Sequence, residues 1–190
     1  MRPGLPSARS VGALLRRELV TEEDAATSAL MARVSDARRR GFISRAEFLA
    51  MCRWKSPRAL HHYRRNTARR VREVSRRALG CRSERGRMEH LLALDGVSVP
   101  VASAILTLLD PRRYGVLDIR AWQMLYAMRD VDANPAGRGF SVGQWTCYLA
   151  ALREHARRLK APVRAVEYTL FLRHRRRQRG RLYDRPRKRR

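Results

Sequence analysis

This chain has almost no lysine, few acids and no long apolar run. Of its 43 basic residues only Lys55, Lys160 and Lys188 are lysine, and 17 acidic residues leave a formal net charge of +26. So large an excess of cations calls for a polyanionic partner, nucleic acid before an anionic surface. The most apolar stretch, residues 99–109, is too short to span a bilayer and is broken by Pro, Ser and Thr. No membrane partner is expected, and no apolar run of signal-peptide length opens the chain; a cytoplasmic, nucleoid-associated place fits. Cys52, Cys81 and Cys147 are odd in number and scattered, so they imply no disulfide framework. His61 and His62 are adjacent, point apart on a helix and have no further Cys/His group to complete a zinc set, so no metal is expected. Alternating strand-type segments are also lacking, which makes the class all-α, with eight to ten helices.

What is present is a succession of helix starts. Thr21 heads acids in a first turn and predicts a helix to Arg40, stopped by Gly41. Ser44 and Glu47 form a capping box for a helix reaching Trp54. Ser56-Pro57 starts a short helix, and Asn66 is the expected cap of one ending at Leu79. On that last helix Ala68, Val71, Val74, Ala78 and Leu79 form one stripe, while Arg69, Arg72 and Arg76, with Arg70 and Arg77, show a cationic face. Ser83, Ser141 and Pro162 open further helices. Residues 1–10 read as a flexible arm and 11–172 as the helical domain. Residues 173–190, with eleven Lys/Arg against Asp184, read as a disordered basic tail.

Residues 91–122, LLALDGVSVPVASAILTLLDPRRYGVLDIRAW, read as helix, tight turn, helix, extended loop, and an Asp opening another helix. A Gly-containing hairpin of this kind presents backbone N–H groups to a phosphate; Gly96, Val97 and Ser98 are the candidates. Asp118 is a favourable N-cap, and Arg120 suits either phosphate or plain surface. Trp54, Tyr114 and Trp122 suit either stacking on a base or the core.

Through Leu94, Gly96, Val97, Ala102, Leu117 and Asp118 the stretch resembles the helix-hairpin-helix DNA glycosylase superfamily, with its "L-P-G-V-G-x-x-x-A" and later "V-D" signatures. The resemblance covers residues 42–128 best and fades towards Leu172. It implies a two-lobed helical glycosylase-like fold, a damaged DNA duplex as partner, and Asp118 as the catalytic carboxylate, compatible with its capping role. Relatives with lyase activity carry a Schiff-base lysine where this chain has Pro100, so the resemblance implies a monofunctional DNA N-glycosylase in base excision repair. It implies no cofactor, since the family's four-cysteine cluster loop is missing. Ser98 replaces the second hairpin glycine, a departure that also accompanies a non-catalytic DNA- or nucleoid-binding module, the second reading. RNA or ribosome association through the tail is a third. A monomer is expected. The segment Trp54–Arg58 resembles an element of a poorly characterised bacterial branch and carries no assigned role.

Overall fold

Short polar side chains that satisfy orphan N–H groups set most helix starts in this protein. The computed structural model describes residues 10–178, and every regular element among them is helical. In order these are α1 (Val11–Glu18), α2 (Ala25–Val34), α3 (Ala37–Arg40), α4 (Arg45–Lys55), a 3-10 turn (Pro57–Ala59), α5 (Leu60–Tyr63), α6 (Ala68–Gly80) and α7 (Glu84–Leu92). Then follow α8 (Val99–Leu109), α9 (Ile119–Ala127), α10 (Val142–Leu159) and α11 (Val163–Arg177). The all-α class is therefore observed. The helix number exceeds the expectation because α3 and α5 are single four-residue turns.

The capping box at Ser44 is complete: its hydroxyl accepts from Glu47 N–H at 3.3 Å and its own N–H donates to the Glu47 carboxylate at 2.7 Å. Ser141 and Gln144 repeat the device at α10. Two expected caps lie elsewhere. Asp24, not Thr21, caps α2, accepting from Thr27 N–H at 3.0 Å and from its hydroxyl at 2.7 Å. Thr67, not Asn66, caps α6. The helix expected to run to Arg40 breaks at Ser35, whose hydroxyl donates to the Ala32 carbonyl at 2.8 Å, a local bond that competes with helix continuation.

The core is organised around α8. All of its residues except Pro100 are buried, so it packs on all sides, against α4, α7 and α2. Most of the buried apolar residues form one connected cluster running from Val11 in α1 to Leu170 in α11. No described helix is long and apolar enough to cross a membrane. After α8 the chain turns at Asp110, which pairs with Arg38 at 2.9 Å, and runs back along the helix to Asp118. Leu117 N–H donates to the Ser103 hydroxyl at 2.8 Å, which fixes the return path.

One boundary moves. The segment from Arg173 was expected to be disordered, yet Arg173–Arg177 continue α11. Arginine is a good helix former, and Arg173 is tethered to Glu18 of α1 at 3.1 Å. Residues 1–9 and 179–190 carry the rest of the expected arm and tail and lie outside the described residues.

Candidate nucleic-acid interface and the Asp118 site

The hairpin between α7 and α8 has the backbone its sequence requires. Gly96 adopts φ +79°, and a Cβ there would come within 2.6 Å of His62 Cβ, so glycine is needed both for the turn and for its seating on α5. Val97 N–H closes the turn on the Leu94 carbonyl at 3.1 Å. Of the three expected phosphate donors, Val97 is therefore engaged internally. The N–H groups of Gly96, Ser98, Val99 and Val101 meet no acceptor among the described residues, and the Ser98 hydroxyl makes no cap bond. The start of α8 is an open cluster of donors.

Asn66 explains how the hairpin is held. Its buried amide donates to the carbonyls of Tyr63 (3.0 Å) and Asp95 (3.1 Å) and accepts from Asp95 N–H at 2.9 Å. The residue read as a helix cap is a clamp on the hairpin, joining it to the start of α6. Arg70 adds a bond to the Ala93 carbonyl at 3.0 Å. Asn66→Ala is expected to lower stability by about 1–3 kcal/mol, since it removes a buried amide and leaves the part-buried N–H and carbonyl of Asp95 without their partner. Chemical denaturation measures this, and an unchanged midpoint would remove the clamp.

The cationic face of α6 is as expected: Val71, Val74 and Ala78 are buried, while Arg69, Arg72 and Arg76 are exposed. The Arg72 and Arg76 guanidiniums lie 4.1 and 5.7 Å from the Phe42 ring centre, joined there by Arg40 at 4.8 Å. Arg72 and Arg76 have no acidic partner among the described residues, so their charge is available to a ligand.

Asp118 caps α9, accepting from Arg120 N–H at 2.9 Å. Its loop is pinned residue by residue. Val116 N–H donates to Glu167 (3.1 Å), the Val116 carbonyl accepts from the Tyr148 hydroxyl (2.9 Å), and Leu117 N–H is held by Ser103. A Cβ on Gly115 would approach Leu152 Cδ1 to 2.6 Å, so the loop passes as close as glycine allows. Lys55, at the end of α4, places its ammonium 3.1 Å from the carboxylate, both side chains keeping a sixth to a fifth of their surface exposed. Burial acts to raise the Asp118 pKa, but Lys55 and the Arg120 N–H outweigh it and hold the group below its ordinary 3.8. The carboxylate is fixed as an anion.

The pairing was invisible in sequence, because the partners lie 63 residues apart. It gives the Trp54–Arg58 segment a role: Lys55 meets Asp118, and Trp54 Nε1 donates to the Thr27 hydroxyl at 3.0 Å. It also changes the argument from Pro100. The hairpin helix has no lysine to offer, but α4 supplies an amine beside the carboxylate. His174 of α11 completes the surroundings. Burial first, then Arg120, lowers its pKa against the opposing pull of Asp118, so it is neutral at neutral pH. Its Nδ1 is buried without a hydrogen-bond partner among the described residues.

Other expected site residues fall elsewhere. The Arg120 side chain turns from Asp118 to Gln178 (3.2 Å) and lies 5.4 Å from the Phe171 ring centre. Tyr114 and Trp122 are core residues, not base-pocket walls. Tyr114 is 2% exposed with its hydroxyl donating to Glu84 at 2.7 Å, and Trp122 is 1% exposed, packed by Phe140 and Tyr148. Trp54 alone of the three is half-buried, its ring beside Thr27 and Arg164. His61 and His62 do not point apart; their ring centres are 3.9 Å from each other, because α5 is too short to impose regular helical spacing. No family model, curated protein or solved structure matches this chain.

Proposed function

We propose that this protein binds duplex DNA through the α7–α8 hairpin and the arginine face of α6, in the manner of a helix-hairpin-helix glycosylase-like fold. The observation that carries this reading is the hairpin. Four N–H groups and the Ser98 hydroxyl meet no partner among the described residues at the start of a buried helix. Asn66 and Arg70 tie them to the cationic helix. A phosphodiester oxygen satisfies those donors, and α6 neutralises neighbouring phosphates. Binding is expected to fall steeply with salt as condensed counterions are released. Replacing Arg69, Arg72 and Arg76 by Ala should reduce the slope of log affinity against log salt by up to about three, one unit per phosphate contact. Fluorescence anisotropy with a labelled duplex measures both; an unchanged slope would remove α6 from the interface.

Asp118 extends the reading to chemistry. A fixed anion beside an extruded nucleotide stabilises the positive charge that grows on the sugar as the N-glycosidic bond breaks. Lys55 neutralises that anion in the free protein, so a bound nucleotide must draw the ammonium away or towards a phosphate. Pro100 stands in the hairpin helix where the lyases of the resembled family carry a Schiff-base lysine, which supports monofunctional excision, with no adduct trapped by borohydride. The ion pair itself favours the second reading, in which Lys55 and Asp118 fasten α4 to α9 in a DNA-binding module without catalysis.

A further inference from the structure

The turn after α8 and the last turn of α10 border a shallow, open concavity of about 390 Å³ whose lining includes five cations, Arg112, Arg113, Arg153, Arg157 and Lys160, and no acid. Its cations are set by the surrounding structure. Arg113 and Arg153 share Glu84 at 3.1 and 2.7 Å, Arg153 Nε donates to the Arg113 carbonyl at 3.0 Å, and both guanidiniums lie over the Tyr114 ring. Arg157 is paired with Glu154 at 2.9 Å. Arg112 and Lys160 are exposed and have no acidic partner among the described residues. The Arg112 backbone is nevertheless fixed, its carbonyl accepting from Val163 N–H at 3.3 Å. Lys160 ends α10 with φ +52°, the left-handed region where glycine is favoured, yet a cationic side chain stands there. Basic residues also complement the negative end of α10, but that accounts for Arg157 and Lys160 and not for the two arginines contributed by the turn.

The concavity stands apart from the hairpin. The hairpin leads into the start of α8 at Val99, and the concavity lies beyond its end, at Arg112 and Val163. The 11 residues of α8 set the two about 16 Å apart along the helix axis.

We propose that this concavity binds the phosphodiester backbone of a second nucleic-acid segment, so that one molecule bridges two duplexes. The proposal rests on the hairpin reading above, which supplies the first duplex. A shallow face crowded with cations holds a positive potential that suits closely spaced phosphates, and Arg112 and Lys160, which have no acidic partner among the described residues, are the contacts available to them. A single duplex held across the hairpin and α6 does not have to reach them.

The test uses the full chain, a bead-tethered duplex and a second, fluorescent duplex added after washing. The wild type should capture the second duplex. Arg112→Glu combined with Lys160→Glu should abolish most of that capture while single-duplex affinity by anisotropy stays within about twofold. Arg16→Glu with Arg33→Glu, an equal change of charge at exposed arginines of α1 and α2, should leave capture intact. Circular dichroism verifies that both variants fold. Capture that survives the concavity variant, or is lost equally in the charge-matched variant, overturns the proposal. Loss of single-duplex binding with capture also overturns it, since the concavity would then extend one footprint. A wild type that retains no first duplex overturns the hairpin reading, and the bridging proposal falls with it.

Discussion

Asp118→Asn is expected to cut base excision by about 10²–10³-fold or more, the cost typical of removing a group that stabilises charge only in the transition state. Duplex affinity should stay near that of the wild type, because it rests on hairpin N–H groups and arginines. Asparagine is itself a good N-cap and keeps the acceptor for Arg120 N–H, so the start of α9 survives. What is lost is the anion, and with it the ion pair to Lys55. The pH profile separates the two roles of the carboxylate. Lys55 and the Arg120 N–H depress its pKa below 3.8, so the stabilisation it brings is fully present above that value. It is lost only as the pH falls through the lower, folded value. Excision by the wild type should therefore show no Asp118 limb above pH 3.8. The measurement is single-turnover excision on duplexes carrying varied lesions, with borohydride trapping alongside. Equal rates in wild type and variant would take Asp118 out of catalysis. No excision from any lesion would leave the DNA-binding module. An adduct that is trapped in the wild type and absent in Lys55→Arg would replace monofunctional excision with amine chemistry.

Local chemistry was legible along the chain, and distant pairings were not. Ser44, Ser83, Asp118 and Ser141 each announce a helix start because a cap acts within three residues of itself. Thr21 and Asn66 were displaced as caps by equally competent neighbours, Asp24 and Thr67; only the tertiary structure decides between such residues. Asn66 turned instead to Asp95, 29 residues away. The hairpin was readable because Gly96 and the apolar steps of α8 carry it in one window. Tyr114 and Trp122 were left open between core and pocket, since spacing places an aromatic on a face without saying what covers it. The helical continuation past Arg173 was masked by composition, because a run of arginines looks like a solvated tail until Glu18 of α1 is brought beside it. Lys55 is the most consequential omission. Nothing near it in sequence hints at a carboxylate, and only the packing of α4 against the loop after α8 makes the pair.

Arg164→Met is expected to destabilise the protein by about 3–5 kcal/mol, the cost typical of removing one partner from a buried ion network. At 6% exposure Arg164 bridges two elements. It meets Glu23, before α2, through two parallel bonds of 3.0 Å each, and it pairs with Glu167 one turn along α11. Glu167 in turn accepts from Val116 N–H. Without Arg164 both carboxylates lose the cation they share, and Glu167, 1% exposed, keeps no ion pair among the described residues. Burial already acts to raise the Glu167 pKa, and losing Arg164 should drive it further towards protonation. A protonated Glu167 still accepts from Val116 N–H, but weakly, and the loop carrying Asp118 loosens. The loss should appear as a drop in Tm of roughly 6–20 °C for a chain of this size, with the Lys55–Asp118 distance less well defined. Glu23→Gln should cost less than Arg164→Met, since it removes one charge from a site where Arg164 keeps Glu167. The comparison is made by thermal unfolding of the three proteins at neutral pH. Equal melting of wild type and Arg164→Met would mean that the network contributes nothing and that the Tyr148 and Ser103 bonds alone hold the Asp118 loop.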